Sequence, residues 1–251
     1  ESGKYYEESG YHIFHVYQFA YKTIKRTLPE AAVGGFGGLA DADGELALQL
    51  LELSKKEGCV PDFISFILFP YISEQSAAGT DQRPYKRSPE RDFEMQQIRL
   101  MRQIVQKSGM DGCRLYVTEW NNSISNRNYL NDSCFRGAYI CKKVSEILDA
   151  VDMLCIWMGS DWVSSYYDSY GIVNGGSGLL TKDGIRKPAF YAMQLLNQLG
   201  DDLVAAGEHY LVTKSRSGSY RILCFHFQWY HIRYFLKTEN SILPQELDTV
   251  F

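Results

Sequence analysis

The segment with the clearest chemistry is Leu115-Tyr116-Val117-Thr118-Glu119-Trp120-Asn121. An apolar run of this kind reads as a strand, and it ends in a carboxylate, an indole and an amide. A carboxylate fixed at the end of a buried strand can act as a nucleophile or a general base. The adjoining indole and amide can contact a polar ligand. The bland reading of Glu119 is a strand-ending carboxylate in a surface ion pair, and the segment alone leaves both open.

Other reactive residue types carry less. Gly35-Phe36-Gly37-Gly38-Leu39-Ala40 matches G-x-G-x-x-A between a strand and a helix, the outline of a dinucleotide site. The acidic residue that should end the next strand is Asp62, which begins it instead. The segment is therefore read as a tight βα turn, and no cofactor is implied. His12 and His15 lie three apart with no third ligand. None of the six cysteines (Cys59, Cys113, Cys134, Cys141, Cys155, Cys224) forms a C-x-x-C pair, so no metal site is expected. The cysteines are read as reduced, mostly buried thiols of a cytoplasmic protein. No nucleophile elbow supports Ser-His-Asp chemistry. Lys22, Lys25 and Arg26 read as a solvated helix face, and Met101, Met153, Met158 and Met193 as core fillers.

The elements that must position these residues alternate in type. A helix is expected over 13–28, ended by Pro29, then a strand over 31–36. Asp43 reads as the N-cap of a second helix with Leu46, Leu50 and Leu53 on one face, closed at Gly58. Residues 62–69 form a nearly continuous apolar run, which suits a strand buried on both faces. After a polar loop, 73–87, Ser88-Pro89 opens a third helix with Ile98, Met101 and Val105 inward. Strands over 113–118 and 152–158, and helices over 132–149 and from Pro188 to Gly200, complete an α-β-α-β-α-β-α-β-α order. Such alternation predicts a parallel sheet with right-handed crossovers. Beyond Gly200, short strands near Val204 and over 210–213, 221–227 and 231–236 predict a β-rich tail, with a turn at Ser217-Gly218. A closed barrel needs eight strands and four of that kind are counted. The pattern leaves a smaller doubly wound sheet open as well.

Several segments, in order, resemble glycoside hydrolase family 39, the β-xylosidase family. Thr118-Glu119-Trp120-Asn121 matches its T-E-W-N-type motif, and Val33-Gly34-Gly35 is similar to its V-G-G strand. Residues 63–71 (FISFILFPY) are similar to its F-V-S-x-H-x-Y-type strand, and 157–161 (WMGSD) to its W-x-x-S-D strand end. Residues 175–181 (GGSGLLT) with Gly184-Ile185-Arg186-Lys187-Pro188 look like its G-G-F-G-L-L-x-x-x-G-I-x-K-P segment. Among members, the resemblance extends to the family 39-like domain of some AraC-type transcription regulators of bacteria.

The resemblance implies an α/β fold: a partial TIM (β/α)8 barrel of about four βα units, strands five to eight, followed by a β-rich, sandwich-like tail. Residues 1–200 would be the C-terminal half of the barrel and 201–251 the start of a β-sandwich accessory region. It implies retaining hydrolysis of a β-linked glycoside, in which one carboxylate attacks the anomeric carbon and a second, about 5–5.5 Å away, protonates the leaving oxygen. Glu119 would be the nucleophile at the end of the seventh strand. Trp120, Asn121 and Asn122 would contact sugar, Trp157 would form a wall with Asp161 at the rim, and Tyr71 would hydrogen-bond the nucleophile.

The sequence also departs from the family pattern. The acid/base Glu is expected in an Asn-Glu pair ahead of Val33-Gly34-Gly35, and no such pair occurs there; Glu1, Glu7 and Glu8 lack both the strand and the Asn. The His of the sixth strand is replaced within Ile67-Leu68-Phe69, and Ser164 and Ser165 stand where acidic residues usually follow W-x-x-S-D. These losses favour an alternative, a non-catalytic carbohydrate-sensing domain of a bacterial regulator.

Composition sets the outer bounds. The chain has 251 residues, 45% of them hydrophobic, enough for a sizeable core. A net charge of −4 gives no hint of a nucleic-acid or anionic-membrane partner, and no apolar run is long enough to cross a bilayer. The partner implied is a carbohydrate, a β-xyloside or related sugar. The absent initiator Met and the abrupt ends lead us to expect a segment of a longer protein. A half-barrel would expose sheet edges, so self-association of the isolated chain is expected.

Overall fold

The computed structural model describes residues 3–36, 44–73, 85–124, 128–161 and 171–229. Asp43, the turn residues 37–40, Ser164, Ser165 and the strand expected over 231–236 lie outside the described residues. The chain divides into two compact units, Glu1–Trp120 with Asp149–Cys155, and Asn121–Leu148 with Ile156–Phe251.

The first unit begins with α1 (Gly3–Thr27), β1 (Gly34–Gly35), α2 (Glu45–Lys56) and β2 (Phe63–Leu68). A small antiparallel pair, β3 (Tyr71–Ser73) with β4 (Tyr85–Arg87), follows; β4 and the last residue of β3 fall in the stretch 73–87 expected as a loop. Then come α3 (Phe93–Lys107) and β5 (Arg114–Trp120); α4 (Cys134–Ile147) of the second unit precedes β6 (Met153–Ile156). The main sheet has the order β1-β2-β5-β6, with β1/β2 and β2/β5 parallel. A helix stands in the sequence between each successive pair of these strands, as parallel pairing requires.

The two faces of this sheet follow from register. Gly35, Ile64 and Leu115 are opposite one another, as are Phe66 and Val117. Tyr17 of α1 lies across Gly35, where a Cβ would meet its ring, so this face is covered by helix. Ile64, Phe66, Leu115 and Val117 are buried on it. The other face carries Gly34, Phe63, Arg114, Ser65 and Tyr116. There the Phe63 and Tyr116 rings stack at 4.4 Å, and Arg114 donates to Tyr116 Oη.

The lower ends of the strands carry one device twice. Asp62, just before β2, accepts from Val33 N–H at 2.7 Å, and its own N–H donates to Val33 O at 2.8 Å. Lys25 of α1 pairs with Asp62 and donates to Ala31 O. Asp152, just before β6, likewise accepts from Leu115 N–H at 2.8 Å and donates back to Leu115 O at 2.9 Å. Arg102 of α3 approaches Asp152 and donates to Cys113 O. Lys25, expected on a solvated face, is thus part of a latch.

The second unit also contains a 3₁₀ turn (Tyr129–Asp132) and α5 (Pro188–Leu196). Its tail is an antiparallel sheet of β7 (Asp202–Gly207), β8 (Tyr210–Lys214) and β9 (Tyr220–Cys224). The α/β character with a parallel sheet and a β-sheet tail agrees with the sequence expectation. All six cysteines are free, but Cys134 and Cys224 are exposed rather than buried.

Candidate active site

Glu119 owes its direction to one extra residue. Phe66 pairs with Val117 but Ile67 pairs with Glu119, so Thr118 is a β-bulge, anchored by its Oγ1 to Phe66 O at 3.4 Å. Side chains alternate faces along a strand, and an inserted residue reverses the alternation beyond it. In a regular strand Glu119 would follow Leu115 and Val117 onto the helix-covered face, where an unpaired carboxylate is costly. The bulge sends Glu119 to the face of Tyr116 and Ser65, and sends Trp120 opposite Leu68 into the core.

Glu119 is half-buried and makes no hydrogen bond or ion pair among the described residues. Burial raises its carboxyl above the ordinary carboxylate value. In the same unit Tyr71 Oη is buried without a hydrogen-bond partner among the described residues. The expected bond between Tyr71 and Glu119 is therefore not formed here. Native interiors satisfy nearly all buried polar atoms, so both groups have capacity for a ligand.

The second unit holds a different arrangement, a buried polar cluster. Arg136 of α4 is 0% exposed. Its Nε donates to Asn121 Oδ1 at 3.0 Å, Nη1 to Gly178 O at 2.9 Å, and Nη2 to Ser177 O at 2.6 Å and Trp157 O at 3.1 Å. Burial pulls its guanidinium down to about 10, which still leaves it charged at neutral pH. Lys187 is also buried; its Nζ pairs with Asp132 and Asp161 and donates to Gly176 O at 2.8 Å. Asp161 Oδ1 accepts from Gly178 N–H, and Asp132 Oδ2 from Gly175 N–H. Burial pushes the Asp132 carboxyl up, against the lowering effect of Lys187 and the Gly175 N–H. Two cations and two anions balance within the cluster. Gly176 and Gly178 admit it, because a Cβ on either would collide with Asp161 or its backbone.

These placements sort the sequence candidates. Glu119, Tyr71 and Trp157 are partly exposed. Trp120, Asn121, Asn122 and Asp161, expected to touch sugar, are instead 1%, 1%, 0% and 4% exposed. Trp120 turns inward because of the bulge. Asn121 is engaged on both sides, by Arg136 and by its own Nδ2 donating to Ser123 O at 3.0 Å. Asp161 serves Lys187 and the glycine segment rather than a rim, although its Oδ2 is buried without a partner among the described residues. Tyr71, Glu119 and Trp120 belong to the first unit; Asn121, Asn122, Trp157 and Asp161 belong to the second.

Sequence reading missed Arg136 and Lys187. Both left a trace: Arg136 lies on the buried stripe of α4 with Tyr139, Ile140 and Lys143, and Lys187 sits in the G-I-x-K-P segment. Among the described residues no group of three or more His, Cys, Asp or Glu side chains is placed to hold a metal ion. No described helix is long and apolar enough to cross a membrane.

Known proteins resemble this chain along most of its length. A β-xylosidase of Geobacillus stearothermophilus is 26% identical over 241 residues, 95% of this chain and 47% of that protein. The crystal structure of the family 39 enzyme of Xanthomonas axonopodis pv. citri superposes with a TM-score of 0.73 at 26% identity, covering 86% of this chain and 42% of that one. A monomeric β-xylosidase of Caulobacter crescentus CB15 gives a TM-score of 0.69 at 28% identity, covering 81% and 41%. The chain thus spans less than half the length of each of these three relatives. The family model Glycosyl hydrolases family 39 matches residues 4–221, most of the sequence, and the chain belongs to that family.

Proposed function

We propose that this chain carries the nucleophile side of a retaining β-glycosidase, with a β-xyloside or related sugar as substrate. The observation that carries the reading is Glu119, a half-buried carboxylate without a protein partner among the described residues, turned out of the core by the Thr118 bulge. An anion in that state is poised to attack an anomeric carbon as positive charge develops there. Tyr71 Oη, in the same unit and unpartnered among the described residues, is the donor that would hold the attacking oxygen or a sugar hydroxyl. By the family resemblance, Trp157, part-exposed in the second unit, would be the wall for the sugar's C–H face. Trp120, Asn121, Asn122 and Asp161 are buried, and in this reading they do not touch the sugar.

In this reading residues 1–200 supply strands five to eight of a barrel and 201–251 open an accessory β region. Retention requires a second carboxyl as proton donor. Its place in sequence order precedes Val33-Gly34-Gly35, where this chain has no Asn-Glu pair. The chain by itself should therefore bind sugar without turning it over. One observation favours a second reading, a sugar-sensing domain of an AraC-type regulator: the segment Ile67-Leu68-Phe69 offers no imidazole to a sugar.

The test is hydrolysis of a panel of aryl β-glycosides by the full natural polypeptide, beside Glu119→Ala. Turnover should fall by about a thousandfold or more in the variant, because loss of a nucleophile removes the covalent route. Azide should restore part of the rate with inversion. Saturable sugar binding with no turnover on any glycoside would establish the sensor instead.

A further inference from the structure

We infer that Arg136 is a positioning residue for the sugar site: its guanidinium ties the chain leaving β5 at Asn121 to the chain leaving β6 at Trp157 and to the glycine segment at Ser177 and Gly178. The inference rests on the reading of Trp157 as a sugar wall. It goes beyond that reading by assigning the side chain that sets the wall's place.

The geometry is specific to arginine. Three nitrogens of one plane reach four acceptors that belong to three separate stretches of sequence. A guanidinium presents its donors in a rigid fork, so the acceptors are held at fixed mutual angles. An ammonium at this position would keep the charge but lose the fork. Trp157 is held through its carbonyl, and the residue is part-exposed. Met158 N–H also donates to Ser177 O, so the same carbonyl that Arg136 grips fixes the next residue of that strand end. Asn121 stands two residues after Glu119 in sequence, and its Oδ1 is the acceptor for Nε. Full burial keeps water from competing for these bonds.

The charge on Arg136 is balanced within the second unit by Asp132 and Asp161, which Lys187 bridges. Arg136→Lys preserves that balance and should fold. Its effect is read against Leu211→Ala, a cavity variant in the buried part of β8 that loosens the unit without touching the fork.

The experiment is ¹H–¹⁵N NMR and calorimetric titration with methyl β-D-xyloside on the chain, its Arg136→Lys and Leu211→Ala variants, and Asn121→Leu. Arg136→Lys should shift the Trp157 indole N–H signal and the Asn121 side-chain amide, and weaken xyloside binding tenfold or more. Leu211→Ala, with an equal or larger loss in Tm, should leave both signals in place and affinity within twofold. Asn121→Leu removes one of the four acceptors and should move the Trp157 indole in the same direction by less. Unmoved indole signals in both Arg136→Lys and Asn121→Leu would overturn the inference, as would an equal disturbance by Leu211→Ala. A wild-type chain that takes up no xyloside would count against the proposed function alone, and the indole shift would still decide the role of Arg136.

Discussion

The two ends of the main sheet handle their carboxylates in opposite ways. At the lower end Asp62 and Asp152 each exchange two hydrogen bonds with a neighbouring strand and face a cation from the helix before it. At the upper end of β5 Glu119 has no such partner among the described residues, and a bulge rather than an ion pair decides where it goes. The same residue class is used for holding at one end and for availability at the other. On the barrel reading proposed above, this would be the division of labour in which the lower face serves stability and the upper face chemistry.

The sharpest way to break this comparison is to exchange the outcomes of neighbouring residues. Trp120→Ala should cost about 3–5 kcal/mol, because a buried ring leaves a cavity. Glu119→Ala, one position earlier, should cost less than about 0.5 kcal/mol or stabilise, since it removes an unpaired, half-buried charge. Urea denaturation of both variants checks the pair; a regular strand would reverse their order. Smaller losses test the latches. Asp62→Ala and Asp152→Ala should each cost about 1–3 kcal/mol, as each leaves a strand-end N–H without its acceptor. Equal effects would establish that the repeated geometry is also a repeated energy.

The smallest effects are in pH dependence, and they have opposite signs. Burial works against the charged form of Asp62, but the Lys25 and Val33 hydrogen bonds outweigh it and hold the carboxyl below its ordinary value. That contribution is present above the ordinary carboxylate range and is lost as pH falls through the lowered value. Glu119 is raised, so its folded state is penalised progressively as pH rises from the ordinary value through the raised one. In Tm against pH, Asp62→Asn should flatten the acid limb below about pH 4, and Glu119→Gln should flatten the decline above it. An unchanged profile in Glu119→Gln would mean that its carboxyl is not desolvated.

Much of this was legible in the sequence, for identifiable reasons. The apolar run 63–68 and the alternation of elements determine a parallel sheet because burial on both faces leaves no room for polar residues. Glu119 stood out because a carboxylate ended such a strand. The bulge was not legible: Thr118 looks like any strand residue, and only pairing with Phe66 and Ile67 makes it the extra one. Trp120 was expected at the ligand because it follows Glu119 at the strand end, whereas the bulge turns it into the core. The pairing of 71–73 with 85–87 was hidden because each strand is only 3 residues long. Arg136 was passed over since a basic residue in a helix usually faces water, and Lys187 since a lysine just ahead of a helix usually does too. The burial of Arg136 depends on acceptors brought from 15 to 42 positions away, and that of Lys187 on carboxylates of two other segments, which no local pattern encodes.

The packing of the tail has a consequence for how the molecule comes apart. Phe227, just after β9, lies against Phe135 and Tyr139 of α4, with ring centroids 5.2 and 5.8 Å apart, and Lys142 donates to Glu208 O. Lys143 sits over the Trp229 ring at 4.6 Å. A helix of the βα series thus shares its cover with the β-rich tail, although about sixty residues of sequence separate them. The two should open together as one cooperative unit, with amide exchange in α4 and β8 reporting the same free energy. Proteolytic removal of the tail would then unfasten α4, and with it the helix that carries Arg136.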